Sequence, residues 1–218
     1  MNAQEFLEML LPTSGWIFTA TQAGKAWINT SHKNIASAVQ HVNRLTFEGK
    51  QAYYAVATYE KDKVWDATWK DDTGTAVGKW RTRTQSNAQS IKSFFLDLDV
   101  EDGNPDKFAS KTAALEGLAA FCKTVGLPKP MIIDSGGGIH AYWPLFAAVP
   151  TADWRVQADK FKAICIAENF KADRSLTSDQ ARVLRCLGGY NFRRDAPVKL
   201  LMRSAGPFNF NLFVDLFD

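Results

Sequence analysis

The sequence predicts a mixed α/β chain in which hairpins interrupt an alternation of strands and helices. Three observations carry that expectation. Short apolar runs rich in β-branched and aromatic residues alternate with stretches of helical periodicity. Glycine-containing turns separate neighbouring strand candidates. The 218 residues are 46% hydrophobic and 22% charged, which suits one sizeable buried core.

Residues 3–11 read as a short amphipathic helix that Pro12 ends. GWIFTAT and KAWINT alternate like two strands around Gln22-Ala23-Gly24. Asn34 or Ser37 starts the next helix, with Ile35, Ala38, Val39, Val42 and Leu45 at helical spacing and Gly49 at its end. QAYYAVATY reads as one strand. Residues 60–90 are polar and glycine-containing, with Lys79, Arg81 and Arg83 close together, and form a candidate binding loop. SFFLDLDV, residues 93–100, is a strand, and EDGNPD is turn chemistry. A helix follows from Phe108 to Val125. MIID is a strand, SGGG a turn, and IHAYWPL another strand. Thr151 can N-cap a long helix that reaches Asn169. A shorter helix over Ser178–Leu187 and a last strand, VKLLMR, complete the reading. The apolar NFNLFVDLFD is a docking tail or the last core element. No repeat and no sign of two independently folding units is present, so residues 1–218 are expected to form a single domain.

Several function classes are excluded at this level. Cys122, Cys165 and Cys186 are isolated and no CxxC exists, so a zinc site is not expected. Lone thiols suit a reducing cytosol. The N-terminus lacks a cationic, apolar leader and no window is long enough to span a membrane, so a cytoplasmic protein without a membrane partner is expected. GTAVGKW, Gly74–Trp80, has the wrong glycine spacing and Trp80 after Lys79, so it is not a P-loop. The only histidines are His32, His41 and His140, and none pair as an HUH nuclease needs. The net charge of +3 permits a nucleic-acid partner.

Three segments carry chemistry. Asp97 and Asp99 alternate on one strand and so project from one face. Converging carboxylates repel unless a cation lies between them, and oxygen donors suit Mg²⁺ or Mn²⁺. The alternative is a solvated strand end before EDGNPD, and glycosyltransferases and nucleases also use a DxD pair. In IDSGGGIHAYW, the turn from Ser135 through Gly137 and Gly138 allows close backbone approach and a phosphate cradle. His140 and Tyr142 share one face of the strand that follows; the alternative is a tight hairpin with a surface histidine. In FKADRSLTSDQARVLRCLGGYNFRR, Asp173 stands at an expected strand end and Asp179 in the first turn of the short helix. Arg182 and Arg185, three apart, would be neighbours on that helix, suited to phosphate. The alternative is a capped surface helix with ordinary salt bridges.

In this order the three segments resemble the archaeo-eukaryotic primase (AEP) superfamily, in its phage and plasmid primase-polymerase branch. The resemblance covers residues 50–195. A strand with two acids matches Asp97 and Asp99, a small residue two before a histidine matches Gly138 and His140, and a hydrophobic residue followed by Asp matches Ala172-Asp173, with Ser178-Asp179 the alternative. The RVLR-x-PGT-x-N of phage and plasmid members stands here as RVLRCLGGYN, with Leu187 for Pro and Gly189 for Thr.

The resemblance implies an RRM-like mixed sheet with a second α/β lobe: residues 1–90 would be mainly the N-terminal lobe and basic loop, and 91–205 the catalytic part. It implies template-directed nucleotidyl transfer on single-stranded DNA from dNTPs or NTPs. Asp97, Asp99 and Asp173 would hold two divalent ions, Mg²⁺ or Mn²⁺, with His140 a fourth catalytic residue. Ser135, Gly137, Gly138, His140, Arg182, Arg185 and Asn191 would bind the nucleotide. Lys79, Arg81, Arg83 and Lys92 would follow the template backbone, and Tyr142 or Tyr190 would stack on a base or sugar. A helicase would be a further domain or a partner, and the setting a bacterial host cytoplasm. A non-catalytic nucleic-acid-binding module, a metal-dependent nuclease and a DxD glycosyltransferase are the rival readings.

Overall fold

Two larger antiparallel sheets and two two-stranded ladders make up the strands among the described residues. The computed structural model describes residues 1–173, 175 and 177–218. Helix α1 (Ala3–Leu10) starts in a reciprocal capping box between Asn2 and Glu5 and buries Phe6, Leu7 and Leu10. Strands β1 (Ile17–Ala23) and β2 (Ala26–His32) form the expected hairpin, but the turn is Gly24-Lys25, with Gln22 and Ala23 inside β1. Asn34 caps α2 (Ile35–Phe47). QAYYAVATY is two strands, β3 (Tyr53–Ala55) and β4 (Ala57–Tyr59). Its two halves join different sheets, because the Val56 N–H leaves the ladder and donates to the Arg182 carbonyl at 3.0 Å.

The 60–90 stretch holds a small hairpin, β5 (Val64–Asp66) with β6 (Lys79–Arg81), and then a 3₁₀ turn (Gln85–Asn87). Next come β7 (Ala88–Asp99), α3 (Lys111–Val125), β8 (Met131–Asp134), β9 (Gly138–Pro150) and α4 (Thr151–Ala167). The chain ends with β10 (Val183–Arg185), β11 (Tyr190–Asn191), β12 (Ala196–Pro197), β13 (Lys199–Met202) and α5 (Phe210–Phe217). Ser110, rather than Phe108, sets the start of α3. Thr151 is the first residue of α4 and not its cap: its hydroxyl donates to the Ala88 carbonyl at 2.8 Å, tying the helix to β7.

The larger sheet is five-stranded, in the order β13-β8-β9-β7-β4, and the smaller is four-stranded, β10-β3-β1-β2. β4 therefore sits with later strands, and β10 with earlier ones. Helices α4 and α5 cover one face of the larger sheet, where Phe94 packs against Trp154, Phe161, Phe210, Phe213 and Phe217. The C-terminal apolar segment is thus core. On the other face Phe6 of α1 lies edge-on to Tyr54 and Tyr142, at 5.5 and 5.7 Å, and joins the two sheets. All three cysteines are buried thiols. No helix among the described residues is long and apolar enough to cross a membrane.

Phe94 is buried within that aromatic group, so truncation leaves a cavity with rigid walls. Phe94→Ala is expected to cost about 3–5 kcal/mol, read as a lowered urea midpoint at unchanged m-value.

Candidate active site

The β7–β9 ladder builds the centre of the site. Its register sets Asp97 opposite His140 and Asp99 opposite Gly138. Asp97 and Asp99 leave the same face of β7. Asp173 reaches them from the coil after α4, not from a strand end as expected, because its backbone N–H donates to the Asp97 carbonyl at 2.9 Å. One cavity is lined by Asp97, Asp99, Asp173, His140, Arg182 and Arg185. Asp179 does not line it; its carboxylate accepts from Gln85 Nε2 and from the Ala181 N–H.

Burial, and then the neighbouring Asp99 carboxylate, push the Asp97 pKa up to about 7, while Arg182 opposes the shift. Lys107 Nζ lies 3.6 Å from Asp99. His140 is buried, with Nδ1 3.1 Å from the Tyr142 hydroxyl and Nε2 3.6 Å from Asp97 Oδ1. Burial, then Arg185 and Arg182, lower its pKa to about 3, so the imidazole is neutral at pH 7 and its contact with Asp97 is not an ion pair. Among the described residues Asp97 has no cationic partner, and Asp99 has the partly exposed Lys107. The hard carboxylate oxygens fit a divalent cation of the Mg²⁺ or Mn²⁺ type. Among the described residues no group of three His, Cys, Asp or Glu side chains is gathered tightly enough to be a ready cage.

Arg182 and Arg185 do not lie on a helix. Val183–Arg185 pairs with β3, setting Leu184 opposite Tyr54 and Arg185 opposite Tyr53. The open edge of β3 and the burial of Val183 and Leu184 outweigh the local helical spacing. Both arginines still face the cavity. The Arg185 guanidinium lies 5.2 Å from the Tyr53 ring centroid and donates to the Tyr53 hydroxyl. Arg182 Nε is buried and, among the described residues, without a hydrogen-bond partner, an unmet donor in the lining that also holds the acids.

The glycine turn is shaped by contact. Gly136 has φ +81°, and a Cβ there would meet Asn191 Cβ at 2.7 Å. A Cβ on Gly138 would meet the Leu98 carbonyl oxygen at 2.3 Å, so the backbone beside Asp99 admits only glycine. The Ser135 and Gly136 N–H groups are used inside the turn, on the Gly138 carbonyl and Asp134 Oδ1. They do not form the expected cradle. Gly137 instead lines a second, basic cavity with Asp99, Lys107, Arg185, Asn191, Arg193 and Arg194. Asn191 Nδ2 donates to the Ser135 carbonyl at 3.1 Å, and its buried Oδ1 has no hydrogen-bond partner among the described residues.

Of the basic residues expected on a template path, Lys79 and Arg81 lie on β6, and Arg83 donates to Asn29 Oδ1 at 3.3 Å. Lys92 is turned away and donates to the Glu8 carbonyl of α1. Tyr142 is fully buried against Phe6 and is not free to stack; Tyr190 donates to Asp195. The sequence reading missed Lys107, Arg193, Arg194, Trp27 and Tyr53 as cavity residues. The Arg193-Arg194 doublet follows Asn191 after one residue, Phe192, and its charge was the available signal. Trp27 and Tyr53 had none, since they reach the cavity only through the pairing of the smaller sheet.

A raised Asp97 pKa has a definite sign. Below an ordinary 3.8 both folded and unfolded chains hold the proton; between about 4 and 7 the folded chain holds more, so stability falls as pH rises through that window. Asp97→Asn is expected to melt a few degrees above wild type at pH 8, with the gap closing toward pH 4. Scanning calorimetry across pH checks this, and Mn²⁺ at pH 8 should raise the wild-type Tm while leaving the variant unmoved.

No protein-family model and no curated protein matches the sequence. Solved structures do match the fold. The AEP domain of the cyanophage S-2L primase-polymerase superposes with a TM-score of 0.63 at 14% identity, over 94% of this chain and 90% of that one. The catalytic domain of primase RepB′, solved with initiator DNA, gives 0.55 at 12% identity over 99% of this chain and 89% of that one. A further RepB′ structure gives 0.53 at 12% identity over 99% of this chain and 59% of that one. These superpositions show that the chain has the fold of the primase-polymerase AEP domain and of the RepB′ catalytic domain.

Proposed function

We propose that the chain is a DNA primase-polymerase that transfers nucleotides onto a 3′-hydroxyl under the direction of a single-stranded DNA template. The observation that carries this is that Asp97, Asp99 and Asp173 line one cavity together with Arg182 and Arg185, and that the buried Arg182 Nε has no hydrogen-bond partner among the described residues. The fold of primase-polymerases supports it, as does the initiator DNA bound to the RepB′ catalytic domain.

Asp97, Asp99 and Asp173 would hold two Mg²⁺ or Mn²⁺ ions, which supply activation of the attacking hydroxyl and charge neutralisation on the leaving pyrophosphate. Arg182 and Arg185 bind the triphosphate of the dNTP or NTP, and Arg193 and Arg194 extend the basic wall toward Gly137. His140, neutral and buried, donates one hydrogen bond without adding charge. Asn191 orders the glycine turn through the Ser135 carbonyl. Lys79, Arg81 and Arg83 contact the template backbone. Unwinding of duplex belongs to a helicase domain or partner, and the setting is a bacterial cytoplasm.

A second reading, a nucleic-acid-binding module without catalysis, is favoured by one observation: the acids do not form a ready metal cage among the described residues. Nucleotide incorporation on single-stranded DNA, with and without primer and with Mg²⁺ or Mn²⁺, separates the two. Template-dependent product is expected from wild type, and Asp97→Ala/Asp99→Ala should lose about 10³-fold or more. DNA binding without product in any condition would favour the module. Arg193→Ala is expected to raise KM for the nucleotide about tenfold, roughly 1.4 kcal/mol, with the Mn²⁺ thermal shift unchanged.

A further inference from the structure

The β5–β6 hairpin stands outside both hydrophobic cores: no described residue between 60 and 87 belongs to either. It nevertheless shows two tryptophans to solvent. Trp65 and Trp80 are directly cross-strand and therefore share one face. They are 54% and 61% exposed, with ring centroids 5.4 Å apart. Trp65 lies down across Gly78, where a Cβ would meet its ring at 2.3 Å. Exposing two large rings on a surface arm is unfavourable unless something covers them.

The flanking charges identify the cover. The pairs next to the indoles, Val64 with Arg81 and Asp66 with Lys79, fall on the opposite face. Asp66 is engaged by Thr68 and Arg81, and Asp71 by Thr73 and Thr75. Both carboxylates are thus committed within the arm. Glu60, Asp62 and Asp72 lie on the same stretch, so residues 60–87 hold six lysines and arginines against five acids. The ribbon presents flat aromatic rings on one face with a slight cationic excess, which suits a single nucleic-acid strand held mainly by stacking and less by phosphate attraction.

The arm is also anchored to the catalytic cavity. Buried Asn87 closes its stem, donating to the carbonyls of Lys61 and Thr82 and accepting from the Lys61 N–H. Arg83 bonds to Asn29, two residues along β2 from the cavity residue Trp27. Gln85 and Gln180 tie the stem to the loop that leads into Arg182.

We infer that Trp65 and Trp80 form a stacking platform for a single-stranded nucleic acid, outside the catalytic cavity and joined to its rim. That the bound strand is the template rests on the function proposed above; the platform itself does not. The test is fluorescence anisotropy of labelled dT20 and of an equally long abasic oligonucleotide, at low salt, with the full chain. Wild type is expected to bind dT20 at least tenfold more tightly than the abasic strand. Trp65→Ala/Trp80→Ala should weaken dT20 binding about 10- to 100-fold and leave abasic binding within about twofold. Trp80→Ala alone should show part of the loss, and Trp65→Phe/Trp80→Phe, which keeps two rings on a folded arm, should restore binding to within about threefold. Binding is read without nucleotide or metal and incorporation is read separately, so a chain that binds dT20 through the indoles yet makes no product counts against the proposed function and not against the platform. Unchanged dT20 binding by the folded double-alanine variant, or equal wild-type affinity for dT20 and the abasic strand, would overturn the inference. So would unchanged binding together with loss of self-association in sedimentation, which would make the arm a protein contact.

Discussion

The pairing of β7 with β9 is the constraint on which the site depends. It is antiparallel and continuous from Ser93 to Asp99, and it fixes which residue stands opposite each acid. A slip of one residue would turn Asp97 and Asp99 into the aromatic layer under α4 and bring Leu96 and Leu98 to the cavity. Two features oppose that slip. The even-numbered side chains, Phe94 above all, are locked among the rings of α4 and α5. Gly138 then lets the two backbones approach so closely at the ladder's end that no side chain fits between them.

Around this ladder the two sheets divide the work. The larger sheet carries Asp97, Asp99 and the buried imidazole, with Asp173 held against it from the coil after α4, while the smaller sheet brings Arg185 and the aromatic residues Tyr53 and Trp27. The β7 acids and the two arginines thus arrive on separate frameworks and line one cavity, and among the described residues no ion pair joins Asp97 or Asp99 to Arg182 or Arg185. Burial raises the Asp97 pKa and leaves Arg182 Nε without a hydrogen-bond partner among the described residues, so both groups are buried polar atoms open to a further partner. A polyanionic nucleotide and divalent cations are complementary to that arrangement.

Much of this was legible in the sequence. The DLD alternation, the triple glycine before His140 and the Arg-x-x-Arg spacing are local signals, and the structure brings those residues to one region. Secondary structure was legible where periodicity decides it, as in α2 and α3. It failed where a distant partner decides it. Residues 183–185 read as helix because nothing nearby reveals the open edge of β3, and QAYYAVATY read as one strand because the change of sheet at Val56 depends on Arg182. Trp27 and Tyr53 were invisible for the same reason, and Lys92 was misjudged because charge alone does not show that α1 lies over it.

The β3–β10 pairing also governs the order in which the chain can be completed. Tyr53–Ala55 and Val183–Arg185 lie far apart in sequence, and their contact closes most of the chain into a loop. During synthesis the smaller sheet has an unfilled edge until residue 185 has left the ribosome, even though β1, β2 and β3 are available long before. The exposed edge of β3, with its buried-type Tyr-Tyr-Ala sequence, is then the surface most prone to pair with the wrong strand. Arg182 and Arg185 therefore take their places only as that last seam closes, and a nascent chain lacks the basic wall of the cavity while its acids are already laid down on β7.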